Sequence, residues 1–390
     1  MRPNVPAVAT EFTATSRFHS LDALRGFAAL LVVIHHFALV MVVAPYPAWI
    51  RLTPLRVVFD GYGNVLVFFV LSGFVLFPPL RDAGRIAYWP YAIKRFVRLY
   101  VPFFTAICLS ALLNTLVKPQ VILGVTEWFN VDSWQVPLTA TNFVMHFALT
   151  DDPNRQGLDN VMWSLAQEAR ISIVFPIIAL FVWRNWFLTV LGCLIISACS
   201  RHLYLYESHP RLYDPALTLQ FVGLFAAGAS LSLNRQSITR VVSCTPASAR
   251  LILWSIALLG STFSLNNSLY FLAQTSAIMI VALCFTDPHV KILFAGSIPQ
   301  WLGRISYSLY LIHIPILLSF VHLLYGKLPL LEILTISLIM SLLVAELSYR
   351  FVEKPSIDLG RRWATKFRRS LPATSTSRVG PSNAADRQPL

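Results

Sequence analysis

The chain has 390 residues, of which 56% are hydrophobic and only 13% charged, with a mean hydropathy of +0.63. That is too apolar and too sparsely charged to coat a soluble globule, and it reads as a polytopic helical membrane protein. The formal net charge of +13 does not point to nucleic acid. The basic residues fall between apolar runs, in the positive-inside pattern, instead of pooling in one domain.

In chain order, residues 1–20 form a polar segment. The run that follows, LDALRGFAALLVVIHHFALVMVV over 21–43, is too long for a signal peptide and lacks a small-residue cleavage site, so a retained helix is expected. It is long enough to cross a bilayer, which takes about 20 residues. Ten spans are expected, near 22–44, 61–80, 99–118, 160–183, 186–206, 215–233, 249–265, 268–286, 304–325 and 328–350. Arg51 and Arg56 lie between the first two. Basic residues gather in alternate loops: Arg81, Arg85, Lys94, Arg95 and Arg98 after the second span, Arg235, Arg240 and Arg250 after the sixth, and six more after the tenth. That side is then cytoplasmic, with both termini on it. The other side receives 119–159, where Glu127, Asp132, Asp151, Asp152 and Asp159 outweigh the few basics. This loop holds Trp128, Trp134 and the run TNFVMHFAL, which either lies flat on the membrane or folds back into the bundle.

The expected organisation is therefore all-α, with a cytoplasmic 1–20 segment, about ten transmembrane helices over 21–362, and a cytoplasmic tail over 363–390. The tail is basic at first and then disordered, with a composition rich in Ser, Pro and small residues. The five cysteines lack metal-ligand spacing, and there is no Walker loop, zinc signature or Gly-x-Ser-x-Gly elbow. No metal is expected.

Several polar residues stand inside these spans. Arg25 and His36 are eleven residues apart, three helical turns plus about 20°, so they share a face about 16 Å apart along the axis. A His at that depth is costly. It serves either as a base or nucleophile or as an interhelical hydrogen-bond partner. Arg25 either recognises phosphate or carboxylate, or sets topology by snorkelling. His35 points about 100° away from His36 and carries the stronger case for a structural role. Ser72 and Gly73 in the second span suit close helix approach. Lys94, Arg95 and Arg98 form a basic turn ended by Pro102, which serves topology or a polyanionic ligand such as a nucleotide diphosphate. Glu168 in the fourth span either orients a His, binds a sugar hydroxyl, or pairs with Arg170 or another helix. Ser306, Tyr310 and His313 follow i, i+4, i+7 and share a face that must look into the bundle or a cavity. Glu346 lies in the last span, and Arg350, Glu353 and Lys354 sit at its inner end.

Seven pieces in series carry a family resemblance: the Arg25–ten residues–His36 spacing, then LDALRGFAAL, FFVLSGFVLF, RFVRLYVP, WSLAQE, LGRISYSLYLIHIPI and SYRFVEKP. In these the chain resembles the membrane acyltransferases called acyltransferase 3, from Leu21 to about Arg362. Val101 stands before Pro102 where that family usually places the proline directly after an aromatic. The resemblance implies transfer of an acyl group, commonly acetyl, from cytosolic acyl-coenzyme A to a hydroxyl. The acceptor would be a carbohydrate such as O-antigen, exopolysaccharide, peptidoglycan or a glycolipid, or a macrolide-like small molecule. Acyl-coenzyme A enters as co-substrate, with no permanently bound cofactor. His36, Arg25 and Glu168 are the implied catalytic residues. Arg25, Arg95, Arg98, Ser72 and Tyr310 are the implied donor-binding residues, with Ser72 or Tyr310 as an oxyanion donor. The implied setting is a multi-pass protein of the inner (plasma) membrane, with the lipid bilayer as a partner. No esterase-like domain follows the last span, so the standalone form is expected, with a separate periplasmic enzyme as an open partner. The rival reading is a proton-coupled transporter or flippase of a lipid-linked sugar, against which the lack of an internal repeat counts.

Overall fold

The computed structural model describes residues 18–41, 53–82, 88–131, 134, 138–148, 157–206, 210–264 and 266–370. The expectations for 1–17 and 371–390, and for Arg51, Arg85, Asp132, Asp151 and Asp152, lie outside them. Among the described residues there is no strand, only one isolated bridge between Tyr325 and Leu328.

The helices are α1 (His19–Met41), α2 (Gly61–Asp82), α3 (Tyr88–Val117), α4 (Glu127–Val131), α5 (Ala140–Met145), α6 (Met162–Arg184), α7 (Trp186–Tyr206) and α8 (Pro210–Leu219). They continue as α9 (Val222–Leu233), α10 (Arg235–Cys244), α11 (Ala247–Ser261), α12 (Tyr270–Thr286), α13 (Pro288–Phe294), α14 (Ser297–Leu324), α15 (Leu330–Ser348) and α16 (Lys354–Ser370). The protein is an all-α polytopic membrane protein. Eight of the described helices are long and apolar enough to cross a membrane, or nine if α12 and α13 form one broken span bent by 80°. Asp287 makes that bend. Its side chain accepts from the His289 N–H at the start of α13, and Pro288 cannot continue α12. The expected span near 249–265 is α11, whose 15 residues rise about 22 Å against a hydrocarbon core of about 30 Å.

Two close crossings fix the centre. A Cβ on Gly26 of α1 would fall 2.5 Å from the backbone nitrogen of Gly303 on α14, and one on Gly303 would fall 2.4 Å from the Asp22 carbonyl oxygen. Small residues let these two backbones touch, the usual device where hydrocarbon gives no hydrophobic drive. Similarly, a Cβ on Gly73 of α2 would lie 2.1 Å from the Phe225 carbonyl oxygen on α9. Around these contacts Phe69, Phe74, Phe103, Phe175, Phe221 and Phe225 are fully buried.

Three boundaries differ from expectation, each for a local reason. α3 begins eleven residues before the expected span, so Lys94, Arg95 and Arg98 ride on the helix and not in a loop. Pro102 does not end it. The proline leaves only the Arg98 carbonyl without its helical donor, and the Tyr307 hydroxyl ties the same turn to α14 by donating to the neighbouring Leu99 carbonyl at 2.8 Å. At the other end of the chain, α15 runs into a π-helical turn over Tyr349–Glu353, and α16 follows. Pro355 has no N–H for the Phe351 carbonyl, so the ordinary helical ladder cannot close there. The basic stretch expected from 363 is thus the second half of α16. Ser356, Gly360 and Ala364, one turn apart, are buried, and Gly360 packs on Lys94 and Val97 of α3.

Candidate active site

α1, α2, α3, α6 and α14 converge on a cavity of about 80 Å³ at the end of the bundle that carries the basic turn of α3. Arg25, Ser72, Arg95, Arg98, Glu168 and Tyr310 all line it. These six were singled out from five separate stretches of sequence, and one cavity collects them. Phe68 and Leu165 supply apolar wall.

The charges in it are unequally matched. Arg95 is bonded to Glu168 through its terminal nitrogen and donates through Nε to Ser172 Oγ at 3.0 Å. Ser72 donates to the same Glu168 oxygen at 2.6 Å. Glu168 is therefore committed to α2 and α3. It meets neither a histidine nor Arg170, whose guanidinium donates to Thr218. Arg25 sits 3.6 Å from Asp22, one turn earlier on α1. Arg98 has no hydrogen bond among the described residues. It lies within electrostatic reach of Glu353 and Glu168, and of Arg25 and Arg95. Three guanidiniums thus face one small space beside two carboxylates.

One of those carboxylates stood only as a residue at the inner end of the last span in the sequence reading. Glu353 is 3% exposed and accepts from the Ser308 hydroxyl at 2.7 Å. The π-helical turn aims it inward, and the only written signal for that turn is Pro355 two residues on. The two hydroxyls expected as oxyanion donors are engaged. Ser72 donates to Glu168, and Tyr310 donates to the Val161 carbonyl at 3.2 Å while lying 2.6 Å from Ser164 Oγ.

His36 does not line the cavity. It stands further along α1, where its Nδ1 is 3.1 Å from Nε2 of His313 on α14. Tyr310 links the two levels: it lines the cavity, and its ring centroid is 6.0 Å from that of His313. Beyond His36 lies the loop after α3, folded back onto the bundle. Thr126 donates its backbone N–H to the Val40 carbonyl, and the Trp128 ring lies 5.5 Å from His36. The run TNFVMHFAL becomes α5 and a 3₁₀ turn, with Phe147 against Phe103 and Phe104. Trp134, also in this loop, donates its indole N–H to Ser110. His35 turns away and is 2.6 Å from the Phe59 carbonyl through Nδ1.

The family model described as an acyltransferase domain, Acyl_transf_3, matches residues 18–350. The chain belongs to the acyltransferase 3 family. All the cavity residues fall within that match, and Glu353 lies just beyond it. Relatives of this acyltransferase 3 chain include the putative peptidoglycan O-acetyltransferase YrhL of Bacillus subtilis, 23% identical over 88% of this chain and 55% of the relative. A putative O-acetyltransferase of Staphylococcus aureus is 24% identical over 89% of this chain and 58% of its own length. The O-acetyltransferase PaAT-1 of Phomopsis amygdali is 24% identical over 88% and 84%. The chain thus spans little more than half the length of the bacterial relatives it matches. No solved structure matches it.

Proposed function

We propose that this protein is an O-acyltransferase of the plasma membrane that moves an acyl group, acetyl in the first instance, from acyl-coenzyme A to a carbohydrate hydroxyl. One observation carries the reading: a cavity faced by three guanidiniums adjoins, through Tyr310, a pair formed by the half-buried His36 and the buried His313. The family membership and the O-acetyltransferase names of the relatives support the same chemistry.

The donor's phosphates would rest at the mouth, on Arg25 and on Arg98, which has no hydrogen bond among the described residues. In this reading the slim thioester arm enters the cavity and passes Tyr310 toward His36. There the imidazole is the base for the acceptor hydroxyl. The basic end faces the cytosol in this reading, where acyl-coenzyme A is available. Surface glycans, peptidoglycan and glycolipids are the acceptor class. Glu168 acts by holding Arg95 in place, a role more modest than direct contact with sugar.

The test is turnover by the purified protein in detergent, with acetyl-coenzyme A and an acceptor glycan, followed by thiol release. His36→Ala should reduce the rate by about 10²- to 10⁴-fold, the usual contribution of a general base. A His36→Ala protein that expresses normally and still acetylates the glycan would remove the catalytic assignment. Absence of thiol release by the unsubstituted protein with every glycan tried would instead favour the transporter.

A further inference from the structure

His313 has no part in the scheme so far, yet its hydrogen bonds define the state of His36. His36 Nδ1 lies 2.9 Å from the Val32 carbonyl oxygen and 3.1 Å from His313 Nε2. A carbonyl can only accept, so His36 Nδ1 carries the hydrogen, which the Val32 carbonyl and His313 Nε2 share. His313 Nδ1 lies 3.1 Å from the Leu309 carbonyl oxygen, and by the same rule it carries a hydrogen too. A neutral His313 then offers a lone pair at Nε2, the atom that faces the His36 N–H. Both assignments agree, and a single atom is left over. His36 Nε2 keeps its lone pair and has no hydrogen bond among the described residues.

The helix pair makes this arrangement rigid. The residue offset that brings Gly26 against Gly303 is the same one that brings His36 against His313. α1 and α14 therefore run parallel and in register between the two contacts. His313 is fully buried. His35, next in sequence, turns its Nδ1 to the Phe59 carbonyl.

We propose that His313 is the positioning residue of His36: it accepts the Nδ1 hydrogen, holds the tautomer with Nε2 free, and supports the imidazolium once that nitrogen is protonated. This rests on the acyl-transfer reading. The work is that of the carboxylate in a Ser-His-Asp triad, where the wrong tautomer disables the base. A neutral imidazole does it here without placing a lone anion among apolar helices, where a charge is costly. In the step itself, the acceptor hydroxyl gives its proton to His36 Nε2 as its oxygen bonds to the thioester carbonyl carbon. The carbon–sulfur bond breaks with its electron pair on sulfur, and the thiolate takes the proton back from His36 Nε2. His313 gains and loses nothing.

The experiment uses the full chain in detergent with three variants. His313→Leu removes the acceptor, His313→Gln offers an amide oxygen in its place, and His36→Ala sets the floor. His313→Leu should lower kcat about 100-fold, as loss of a tautomer-holding partner does, with the KM of both substrates within about twofold. His313→Gln should recover about tenfold of that loss by restoring an acceptor. Nitrogen NMR of histidine-labelled protein, with the His36 signals assigned by their loss in His36→Ala, should show Nδ1 protonated and Nε2 bare. In His313→Leu, with only the Val32 carbonyl left to accept that hydrogen, a share of the Nε2-protonated tautomer should appear beside the Nδ1-protonated one. A wild-type His36 protonated at Nε2, or a His313→Leu protein with unchanged kcat, overturns the proposal. If His313→Leu does not fold, the wild-type spectrum and the His313→Gln rates decide. Full activity in His36→Ala sinks the acyl-transfer reading itself. An inactive His36→Ala beside a fully active His313→Leu sinks only the role of His313.

Discussion

Along the α1–α14 pair there are two polar levels, and they are built on different principles. At the basic end, Arg25, Arg95, Arg98 and Glu168 line an open cavity with Glu353 within electrostatic reach of Arg98, and these groups balance one another as ions. Three turns further along α1, His36 and His313 meet as imidazoles bonded to each other and to backbone carbonyls. The cavity admits water, and buried ions there gain from solvent and from mutual attraction. The histidine level is closed by α14 on one side and Trp128 on another. Charge is tolerable at the first level and expensive at the second. The division suits a donor with several phosphates and a thin reactive arm, since the anion meets cations and the thioester meets a neutral base.

If the levels differ in this way, they should respond differently to substitution. The largest stability effect is expected from Glu168→Gln, which leaves Arg95 without its counterion at a site where the two side chains are only 12% and 21% exposed. Breaking such a pair from one side costs about 3 kcal/mol. Thermal unfolding in detergent should show a clear drop in midpoint. Replacing both partners, Arg95→Met with Glu168→Leu, should restore the midpoint without restoring donor binding. An interhelical hydrogen bond in a membrane protein is worth only about 0.6 kcal/mol, so His313→Gln should barely move the midpoint. Equal destabilisation by the two single variants would break the comparison.

Much of this was legible in the sequence, because membrane spans constrain it so strongly. A charge inside an apolar run is costly enough that Arg25, Glu168 and the polar face of α14 stand out before any fold is known. Two of the expected spans come out as the shorter helices α11 and α12, of 15 and 17 residues, because composition marks a hydrophobic stretch but not where Asp287 and Pro288 turn the chain. The level at which each residue acts was less legible. Glu168 enters from the far end of its helix, yet α3 starts early enough to bring Arg95 to it. The pairing of His36 with His313 depends on a register between helices 277 residues apart, which no local pattern records. Glu353 was hidden by a π-helical turn that rotates its carboxylate inward.

A smaller effect is expected at Arg98, the cavity cation with no hydrogen bond among the described residues. Because no hydrogen bond is lost with it and Glu353 keeps the one from Ser308, Arg98→Met should leave thermal stability close to wild type. Its effect should appear in donor recognition, as a rise of about tenfold in the KM for acyl-coenzyme A, corresponding to about 1.4 kcal/mol of lost attraction. The KM for the acceptor should not change. A destabilised Arg98→Met protein with an unaltered donor KM would place this guanidinium among the structural ions and leave Arg25 as the sole donor anchor.

The smallest effect should come from Asp159, just before α6 and within electrostatic reach of Tyr310, which links the two levels. Its Oδ1 accepts from the Val161 N–H at 3.3 Å, and its Oδ2 has no partner among the described residues. Burial pushes its carboxyl well above the usual carboxylate range. The folded protein therefore keeps this proton at pH values where the unfolded chain has released it. Stability should fall as pH rises from about 4, the ordinary Asp value, toward the raised folded value, and should level off above it. Below about pH 4 both states are protonated and the group contributes no slope. Asp159→Asn should flatten the fall, making the variant the more stable protein at pH 8 and its equal at pH 4. The shift in unfolding midpoint should be smaller than that of Glu168→Gln. An Asn variant that is less stable than wild type at pH 8 would mean that Asp159 is a paired anion. The far level would then not be the neutral one that His36 and His313 define.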